Sequence, residues 1–311
     1  MKPFRKHAAI AIDGGGIRGV MITTALEALE QELKKPLGEA FELAAGTSTG
    51  SIISAGIALN TNAADMTTLY KTLAPQVFKK TWRYYLWLLA NYRYPNDELK
   101  RQLETHSQGK TMGDLWTDAR KFDLVIVVRD LHETRSRFIK PWKPEYAQMP
   151  IATAVLASSA MPTYFPVVEG RYVDGGVWSF GNPCFIAAYE ACIVREWKPE
   201  ETTLISLGTG RLKPGTGLPL HAPDRFTPLQ WLSPILDSLL NDANDQQARV
   251  VKQSFAGLDL RRFQIETEPI GMDDVSAIDR LIEYGKTFGR MILNDQTDPY
   301  LDEPVYRVVD H

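Results

Sequence analysis

The stretch Gly46-Thr47-Ser48-Thr49-Gly50 decides how this chain folds around its most reactive candidate residue. It follows an apolar run over 41–45 and precedes a helix-like run over 51–59. A G-x-S-x-G pattern between a strand and a helix is typical of a nucleophile elbow, which exposes a serine hydroxyl at the end of the strand. We therefore predict that Ser48 is a nucleophile. The elbow around it is predicted to consist of Gly46, Thr47, Thr49 and Gly50.

A second glycine cluster, Asp13-Gly14-Gly15-Gly16-Ile17-Arg18-Gly19, follows a short apolar strand over 8–12 and opens a helix. Such a turn directs backbone N–H groups into one concavity, which suits an anion. One candidate anion is a dinucleotide pyrophosphate, because the glycines fit the G-x-G-x-x-G spacing. The other is the oxyanion of an acyl-transfer intermediate. A nucleotide site needs an acidic residue at the end of the second strand, about 20 residues on. Here that strand ends in the serine elbow, although Glu39 and Glu42 lie near the required distance.

The third element is Asp174-Gly175-Gly176, which follows the strand-like run over 171–173. An Asp-Gly-Gly alone is commonly only a turn. In this chain, however, all three glycine-flanked polar sites end apolar strands, and active sites of open α/β sheets gather at the carboxyl ends of strands. One site could therefore hold a nucleophile, a carboxylate and an anion hole.

These residues together resemble the patatin-like phospholipases. That family has D-G-G-G-x-[RK]-G, then G-x-S-x-G, then D-G-[AG], and all three match here in this order. The segments 157–165, 182–183 and 206–210 also look like family segments. The resemblance covers about residues 7–210. The C-terminal part, 211–311, carries no motif that we can assign, and we expect one domain over 1–311.

The resemblance implies an α/β fold of three layers, with a mostly parallel central sheet flanked by helices. It implies a lipid acyl hydrolase that uses a Ser48–Asp174 dyad and an acyl-enzyme intermediate. The oxyanion hole would lie in the glycine loop, with the N–H groups of Gly15 and Gly16, and that of Ile17 as a further option, as donors. The loop comprises Gly14, Gly15, Gly16, Ile17, Arg18 and Gly19, and the aspartate motif adds Gly175 and Gly176. Arg18 would order the loop or attract a phosphate head group.

A histidine base is the alternative to the dyad. α/β-hydrolase triads run Ser, acid, His along the chain, and only His221 and His311 follow Asp174. His221 lies in a proline-bounded loop and His311 is the terminal residue, so both are weak candidates. An aspartate base instead needs partial burial, which raises its pKa and improves its ability to accept a proton.

Composition limits the remaining possibilities. The chain has 311 residues, a net charge of −3 and a hydrophobic content of 44%, so it can bury a core and shows no general affinity for nucleic acid. The residues contain no clustered histidines or Ca²⁺ loop, so we expect no metal and no cofactor. We predict that Cys184 and Cys192 are reduced thiols on one helix. With no long apolar stretch before the first strand, and no run long enough to span a membrane, we expect a cytoplasmic protein.

The segment 78–94 interleaves aromatic residues with Lys and Arg. This composition favours a lipid–water interface, so contact with the inner membrane surface is one prediction and a cap over the core is the other. We expect phospholipid or another acyl lipid as substrate. The sequence predicts no particular oligomeric state. Two alternatives stay open: a soluble esterase or thioesterase for small acyl groups, and a phospholipase effector activated by a signalling nucleotide or a partner.

Alternating apolar periodicity predicts the secondary structure. Strands are predicted over 7–12, 41–45, 122–129, 134–139, 171–173, 203–207 and 259–266. Helices are predicted over 17–34, 49–59, 64–74, 96–105, 150–159, 183–194, 228–254 and 275–293. The Gly- and Pro-rich stretch 208–228 is predicted as a surface loop near the site.

Overall fold

The strands that the structure describes lie in two sheets. The computed structural model describes residues 1–311 apart from 214, 217, 220, 228–229, 232–243 and 302–311. The described strands are β1 (His7–Ile12), β2 (Leu43–Thr47), β3 (Asp123–Asp130), β4 (Arg135–Ile139), β5 (Tyr172–Asp174), β6 (Thr202–Leu207), β7 (Arg211–Leu212), β8 (Asp259–Phe263) and β9 (Glu266–Thr267). The larger sheet has the order β4-β3-β2-β1-β6-β8, with β5 paired to β3. β7 and β9 form a separate pair.

Helices cover the larger sheet. The longer ones are α1 (Gly19–Leu33), α3 (Thr49–Ala58), α4 (Ala63–Val77), α7 (Asp97–Ser107), α9 (Ile151–Ser158), α10 (Cys184–Tyr189), α11 (residues 244–254) and α12 (Ile278–Leu293). The short ones are α2 (Leu37–Ala40), α5 (Trp82–Tyr85), α6 (Trp87–Ala90) and α8 (Pro144–Ala147). In the part of the chain that the structure describes, no helix is both long and apolar enough to cross a membrane.

β1 shows why the sheet is central. It is an apolar run whose residues are buried from Ala8 to Ile12, as expected for a parallel strand covered on both faces. Successive side chains of a strand point to opposite faces. Ile10 and Ile12 accordingly join the core under α1 and α3, while Ala9 and Ala11 join the core under α10. β1, β2, β3, β6 and β8 are parallel, and β4 and β5 are antiparallel to β3. The predicted α/β fold with a mostly parallel sheet is confirmed.

The last third of the chain joins this sheet. β8 pairs with β6, and α12 packs along α1. Both contacts support the prediction of a single domain. The predicted strand over 259–266 is wrong in one respect, because β8 ends at Phe263 and β9 is a separate short strand.

Several predicted boundaries differ from the observed ones. The helix predicted over 64–74 continues through Pro75 to Val77, because a proline within the last turn removes only one backbone hydrogen bond there. The helix predicted over 183–194 changes at Glu190 to a π-helical turn that ends at Val194. The loop predicted over 208–228 contains β7. Part of that loop, part of the helix predicted over 228–254, and His311 lie outside the described residues.

Candidate active site

Ser48 lies at the sharp turn between β2 and α3. Its backbone angles are φ 55° and ψ −126°, a strained conformation for a residue with a side chain. The turn closes because glycines flank it: a Cβ on Gly46 would lie 2.2 Å from the carbonyl oxygen of Gly50, and a Cβ on Gly50 would lie 2.1 Å from that of Ile12. The strand, turn and helix predicted for the elbow are therefore present.

The register of β3 brings Asp174 to Ser48. On one edge of β3, the pairing with β2 ends at Thr47, which lies opposite Val127. On the same edge, β5 ends at Asp174, which lies opposite Val128. β4 occupies the other edge along the same residues. Since β2 and β5 run in opposite directions along one edge, their final residues meet end to end. Ser48 and Asp174, far apart in sequence, therefore become neighbours.

The carboxylate of Asp174 is buried and hydrogen-bonded. It is 1% exposed, and its Oδ1 accepts from the backbone N–H of Gly176 at 2.8 Å. Burial raises the pKa of Asp174 to about 6, while hydrogen bonds from the Ser48 hydroxyl and from Gly176 oppose the shift. A carboxylate with this pKa is ionised at neutral pH and is a better proton acceptor than an exposed aspartate.

Ser158 at the end of α9 supports the elbow. Its Oγ accepts from the backbone N–H of Ser48 at 2.9 Å and donates to the carbonyl oxygen of Val127 at 2.6 Å. One hydroxyl thus connects the nucleophile's backbone to β3. The sequence showed the segment 157–165 as a family-like stretch, but no pattern in it distinguished Ser158 from its neighbours.

The backbone amides of the glycine loop differ in their hydrogen bonding. The N–H of Gly14 donates to the carbonyl oxygen of Gly181 and the N–H of Ile17 to that of Met272, both at 2.9 Å. The N–H groups of Gly15 and Gly16 have no acceptor among the described residues. Both glycines line a cavity of about 370 Å³ together with Ser48 and Asp174. This placement favours an acyl-transfer oxyanion over a pyrophosphate as the anion of the loop.

Arg18 contributes to the order of the same loop. Its Nε donates to the carbonyl oxygen of Gly15 at 3.2 Å. Of the two roles considered for Arg18, this contact supports the ordering of the loop.

An apolar cavity opens beside Ser48. It encloses about 550 Å³, including its mouth, between α3, α4, α7 and the segment after α9. A second apolar cavity of about 600 Å³ adjoins it. Five residues line both cavities: Ile52, Leu69, Tyr70, Leu73 and Leu99. We refer to these two adjoining cavities together as the apolar passage.

Comparisons with known proteins show the family of this chain. A family model described as patatin-like phospholipase matches residues 10–188, more than half of the chain. The chain belongs to the patatin-like phospholipase family. It is 26% identical over 288 residues to a cGAMP-activated phospholipase of Pseudomonas aeruginosa, covering 88% of this chain and 83% of that protein. It is 30% identical over 243 residues to an intracellular phospholipase A2 of Caenorhabditis elegans, covering 73% of this chain but only 21% of that protein.

Among solved structures, VipD from Legionella pneumophila matches with a TM-score of 0.48 and 14% identity. The match covers 94% of this chain and 67% of that chain. The glycine loop, the elbow and the aspartate motif of this patatin-like phospholipase all lie inside the segment that the family model matches. Thr209, Arg262 and Met272, which contact the glycine loop or the residue before it, lie outside that segment.

The histidine alternative finds no support in the geometry. The side chain of His221 is 88% exposed, its Nδ1 lies 3.1 Å from Asp224, and it lines neither cavity beside Ser48. His106 lines only the second apolar cavity. Within the described ranges, no cluster of three or more His, Cys, Asp or Glu side chains could hold a metal ion.

Proposed function

We propose that this patatin-like phospholipase hydrolyses fatty-acyl esters of phospholipids or related lipids, with Ser48 as nucleophile and Asp174 as general base. One observation carries the proposal: Ser48 and Asp174 line one cavity with Gly15 and Gly16, whose amides have no acceptor among the described residues, and an apolar cavity opens beside Ser48. The amides suit the carbonyl oxygen of an ester, and the cavity suits its acyl chain.

In the first half of the reaction, the Ser48 hydroxyl attacks the acyl carbonyl carbon and Asp174 takes the hydroxyl proton. The carbonyl oxygen becomes an oxyanion that accepts hydrogen bonds from the Gly15 and Gly16 amides. The tetrahedral intermediate collapses, the alcohol leaves with the proton from Asp174, and an acyl-Ser48 ester remains.

In the second half, water attacks this ester and Asp174 accepts a proton from the water. A second oxyanion forms in the same hole, the bond to the Ser48 oxygen breaks, and that oxygen regains its proton. The products are a free fatty acid and a lipid with one acyl chain fewer. The aspartate thus acts as base and then as acid in each half.

Neither alternative activity is favoured. A small acyl group would leave most of the apolar passage empty, which argues against an esterase for small substrates. The Pseudomonas aeruginosa relative is named for activation by cGAMP. No contact among the described residues identifies a comparable activator site in this chain.

The same proposal includes peripheral contact with a membrane through a cap, defined as residues 78–94. Its outer surface carries large exposed apolar side chains: Leu89 is 81% exposed, Tyr85 is 72% and Trp82 is 59%. Its inner surface is packed, because Tyr94 is fully buried against Phe78. The segment therefore combines both predicted roles, a cover over the core and a candidate surface for lipid.

The cap lies at the mouth of the site. The backbone N–H of Arg93 donates to the carbonyl oxygen of Thr163 at 3.0 Å, and that of Tyr94 to Tyr164 at 2.8 Å. Tyr164 and Phe78 line the cavity that contains Ser48 and Asp174. A lipid that enters beside the cap would therefore reach the nucleophile directly.

Lipid mass spectrometry tests the hydrolysis. Wild type incubated with mixed phospholipids should release fatty acid, and Ser48→Ala should release essentially none, a loss of about 10⁴-fold or more. Ser54→Ala is the matched control, because Ser54 is buried on α3, its hydroxyl has no partner among the described residues, and it lines no cavity beside Ser48. Ordinary turnover by folded Ser48→Ala would reject the proposal.

Vesicle flotation tests the membrane contact. Trp82→Ala combined with Leu89→Ala should weaken binding to phospholipid vesicles and slow lipid hydrolysis, while sparing a soluble p-nitrophenyl butyrate. The control is Ile193→Ala with Val194→Ala, which removes exposed apolar residues outside the cap. Equal losses on vesicles and on the soluble ester would show that the cap acts only as a cover.

A further inference from the structure

Arg262 on β8 forms a buried ion pair with Asp13, the residue directly before the glycine loop. Its two terminal nitrogens donate to the two carboxylate oxygens of Asp13 at 2.9 and 2.7 Å. Both side chains are 1% exposed. A two-point contact of this kind fixes the orientation of the carboxylate as well as its position. Since Asp13 directly precedes Gly14, the place and direction in which the loop starts are fixed by Arg262.

Two further side chains contact the guanidinium of this ion pair. Arg262 also donates to Ser206 Oγ at 3.0 Å, and the carboxylate of Asp245 lies 3.7 Å away. Burial raises the pKa of the Asp13 carboxyl to about 6, and the Arg262 guanidinium opposes that shift. At neutral pH Asp13 is therefore ionised, and the fully buried Arg262 compensates its charge most strongly, with a smaller contribution from Arg18.

Thr209 holds the next part of the loop. Its Oγ1 donates to the carbonyl oxygen of Gly14 at 2.6 Å. The same side chain packs on Gly15, where an added Cβ would lie 2.4 Å from Oγ1. Further along, the carbonyl oxygen of Met272 accepts from Ile17. Contacts from the part of the chain after residue 206 thus hold both ends of the loop, while the Gly15 and Gly16 amides between them have no acceptor in the described part of the chain.

We propose that Arg262, together with Thr209, positions the oxyanion-binding amides of Gly15 and Gly16. Neither side chain touches the reacting atoms, so both are positioning residues rather than catalytic ones. This inference rests on the proposed function, because it assigns those amides to the oxyanion. It also gives a role to the C-terminal part of the chain, for which the sequence offered no motif.

The substitution Arg262→Lys separates positioning from simple stability. Lysine keeps the positive charge that Asp13 needs but replaces the planar two-point contact with a single ammonium group. We expect kcat for p-nitrophenyl butyrate to fall about 10- to 100-fold with KM changed by less than about 3-fold, because loss of a full oxyanion donor costs about 10²–10³ in kcat. The count of folded sites comes from saturating Ser48 with a fluorophosphonate.

Arg261→Lys is the matched control. Arg261 is the preceding residue of β8, is also buried, and pairs with Asp259 and with backbone carbonyl groups of Lys2 and Pro3. Because neighbouring residues of a strand point to opposite faces, it does not reach the glycine loop. We expect its kcat per labelled site to equal that of wild type.

Three outcomes decide the inference. Folded Arg262→Lys with reduced kcat, near-normal KM and proportionally slower labelling of Ser48 supports it. Wild-type kcat per labelled site in folded Arg262→Lys overturns it. If Arg262→Lys does not fold, Thr209→Val replaces it in the same assay, because this substitution removes the hydrogen bond to Gly14 with little change in shape. A reduced kcat of Thr209→Val then supports the inference, and a wild-type kcat overturns it. Failure of the proposed function looks different, since wild type and Ser48→Ala would then turn over the ester equally.

Discussion

Two buried carboxyl groups, Asp13 and Asp174, both have a pKa that burial raises to about 6. Their partners distinguish them. Asp13 faces the guanidinium of Arg262, a group that cannot accept a proton, so its charge serves structure. Asp174 faces the hydroxyl of Ser48 and a backbone N–H, so it has a proton donor beside it, and no cation among the described residues compensates its charge. Similar burial thus suits one carboxylate to hold a loop and the other to accept a proton.

The pKa of Asp174 predicts an acidic limb in the activity profile. A general base must be ionised, so kcat/KM for p-nitrophenyl butyrate should fall as the pH drops through about 6. A histidine would give a limb in the same range, and His221→Gln is therefore the control. We expect the limb to be unchanged in His221→Gln. Its disappearance in that variant would assign the limb to the histidine and not to Asp174.

The same pKa predicts that Asp174 destabilises the fold at neutral pH. Its pKa rises from 3.8 to about 6 on folding, so the ionised form is disfavoured in the native state and protonation relieves that penalty as the pH falls. Asp174→Asn should therefore be inactive, yet more stable than wild type at pH 8 by up to about 3 kcal/mol. At pH 4 the difference should nearly vanish. Urea unfolding at both pH values measures this, and an equal stability difference at both would contradict the assignment of burial as the cause.

At the scale of elements, α3, α4 and α7 form the apolar passage beside the nucleophile. Leu99, on α7, is buried and lines both cavities, whereas Leu103, one turn further on, lines only the second. The first cavity contains Ser48, so Leu99 marks the place where an acyl chain would pass from one cavity into the other. The two helical positions therefore lie at different depths along the proposed path.

Leu99→Trp should shorten the acyl chains that the enzyme accepts. Filling the junction leaves room for a butyryl group beside Ser48 but blocks a palmitoyl chain, so the ratio of palmitate to butyrate hydrolysis should fall at least about 10-fold. The control is Leu103→Trp, which should act only on the longer chain and to a smaller extent. Melting temperatures accompany both variants, because overpacking can cost about 1–3 kcal/mol. An unchanged ratio in folded Leu99→Trp would show that the chain takes another route.

The sequence was sufficient where local pattern and local structure coincide. The apolar runs and the G-x-S-x-G turn predicted β1, β2 and α3 to within a few residues, because a parallel buried strand and a strand–turn–helix leave strong local signals. Arg262 could not be found in this way. From sequence alone, an arginine on a strand is expected to face solvent or the edge of the sheet. Only the pairing of β8 with β6 brings Arg262 within hydrogen-bond distance of Asp13. Likewise, whether the outer surface of the cap is exposed depends on tertiary packing.

At the scale of the whole molecule, charge is distributed unevenly. The chain carries a net charge of −3, yet the cap presents the exposed Lys79 and Lys80 beside its exposed aromatic residues. Lys80 also lies 4.7 Å from the centre of the Tyr84 ring. An acidic molecule with a locally basic, apolar surface at its active-site mouth would turn that surface toward an anionic membrane.

Lys79→Gln combined with Lys80→Gln should weaken binding to vesicles that contain phosphatidylserine. Each lysine near an anionic surface contributes about 1 kcal/mol, so we expect about 10- to 30-fold weaker binding at low salt and a smaller difference at high salt. The matched control is Lys34→Gln with Lys35→Gln, an adjacent and exposed pair outside the cap. Flotation with vesicles of phosphatidylcholine alone should show little change. Equal effects of the two pairs would mean that total charge, not orientation, governs binding.

β2 and β5 end at adjacent positions on one edge of β3. The spacing of Ser48 and Asp174 is therefore independent of how much chain connects them. That connecting chain includes α4, α7 and the cap, which line the passage and its entrance. Insertions, deletions or exchanges in these segments can accumulate during evolution without disturbing the reacting pair. Proteins that share this arrangement of β2 and β5 can therefore evolve different substrate preferences while they keep the same reaction.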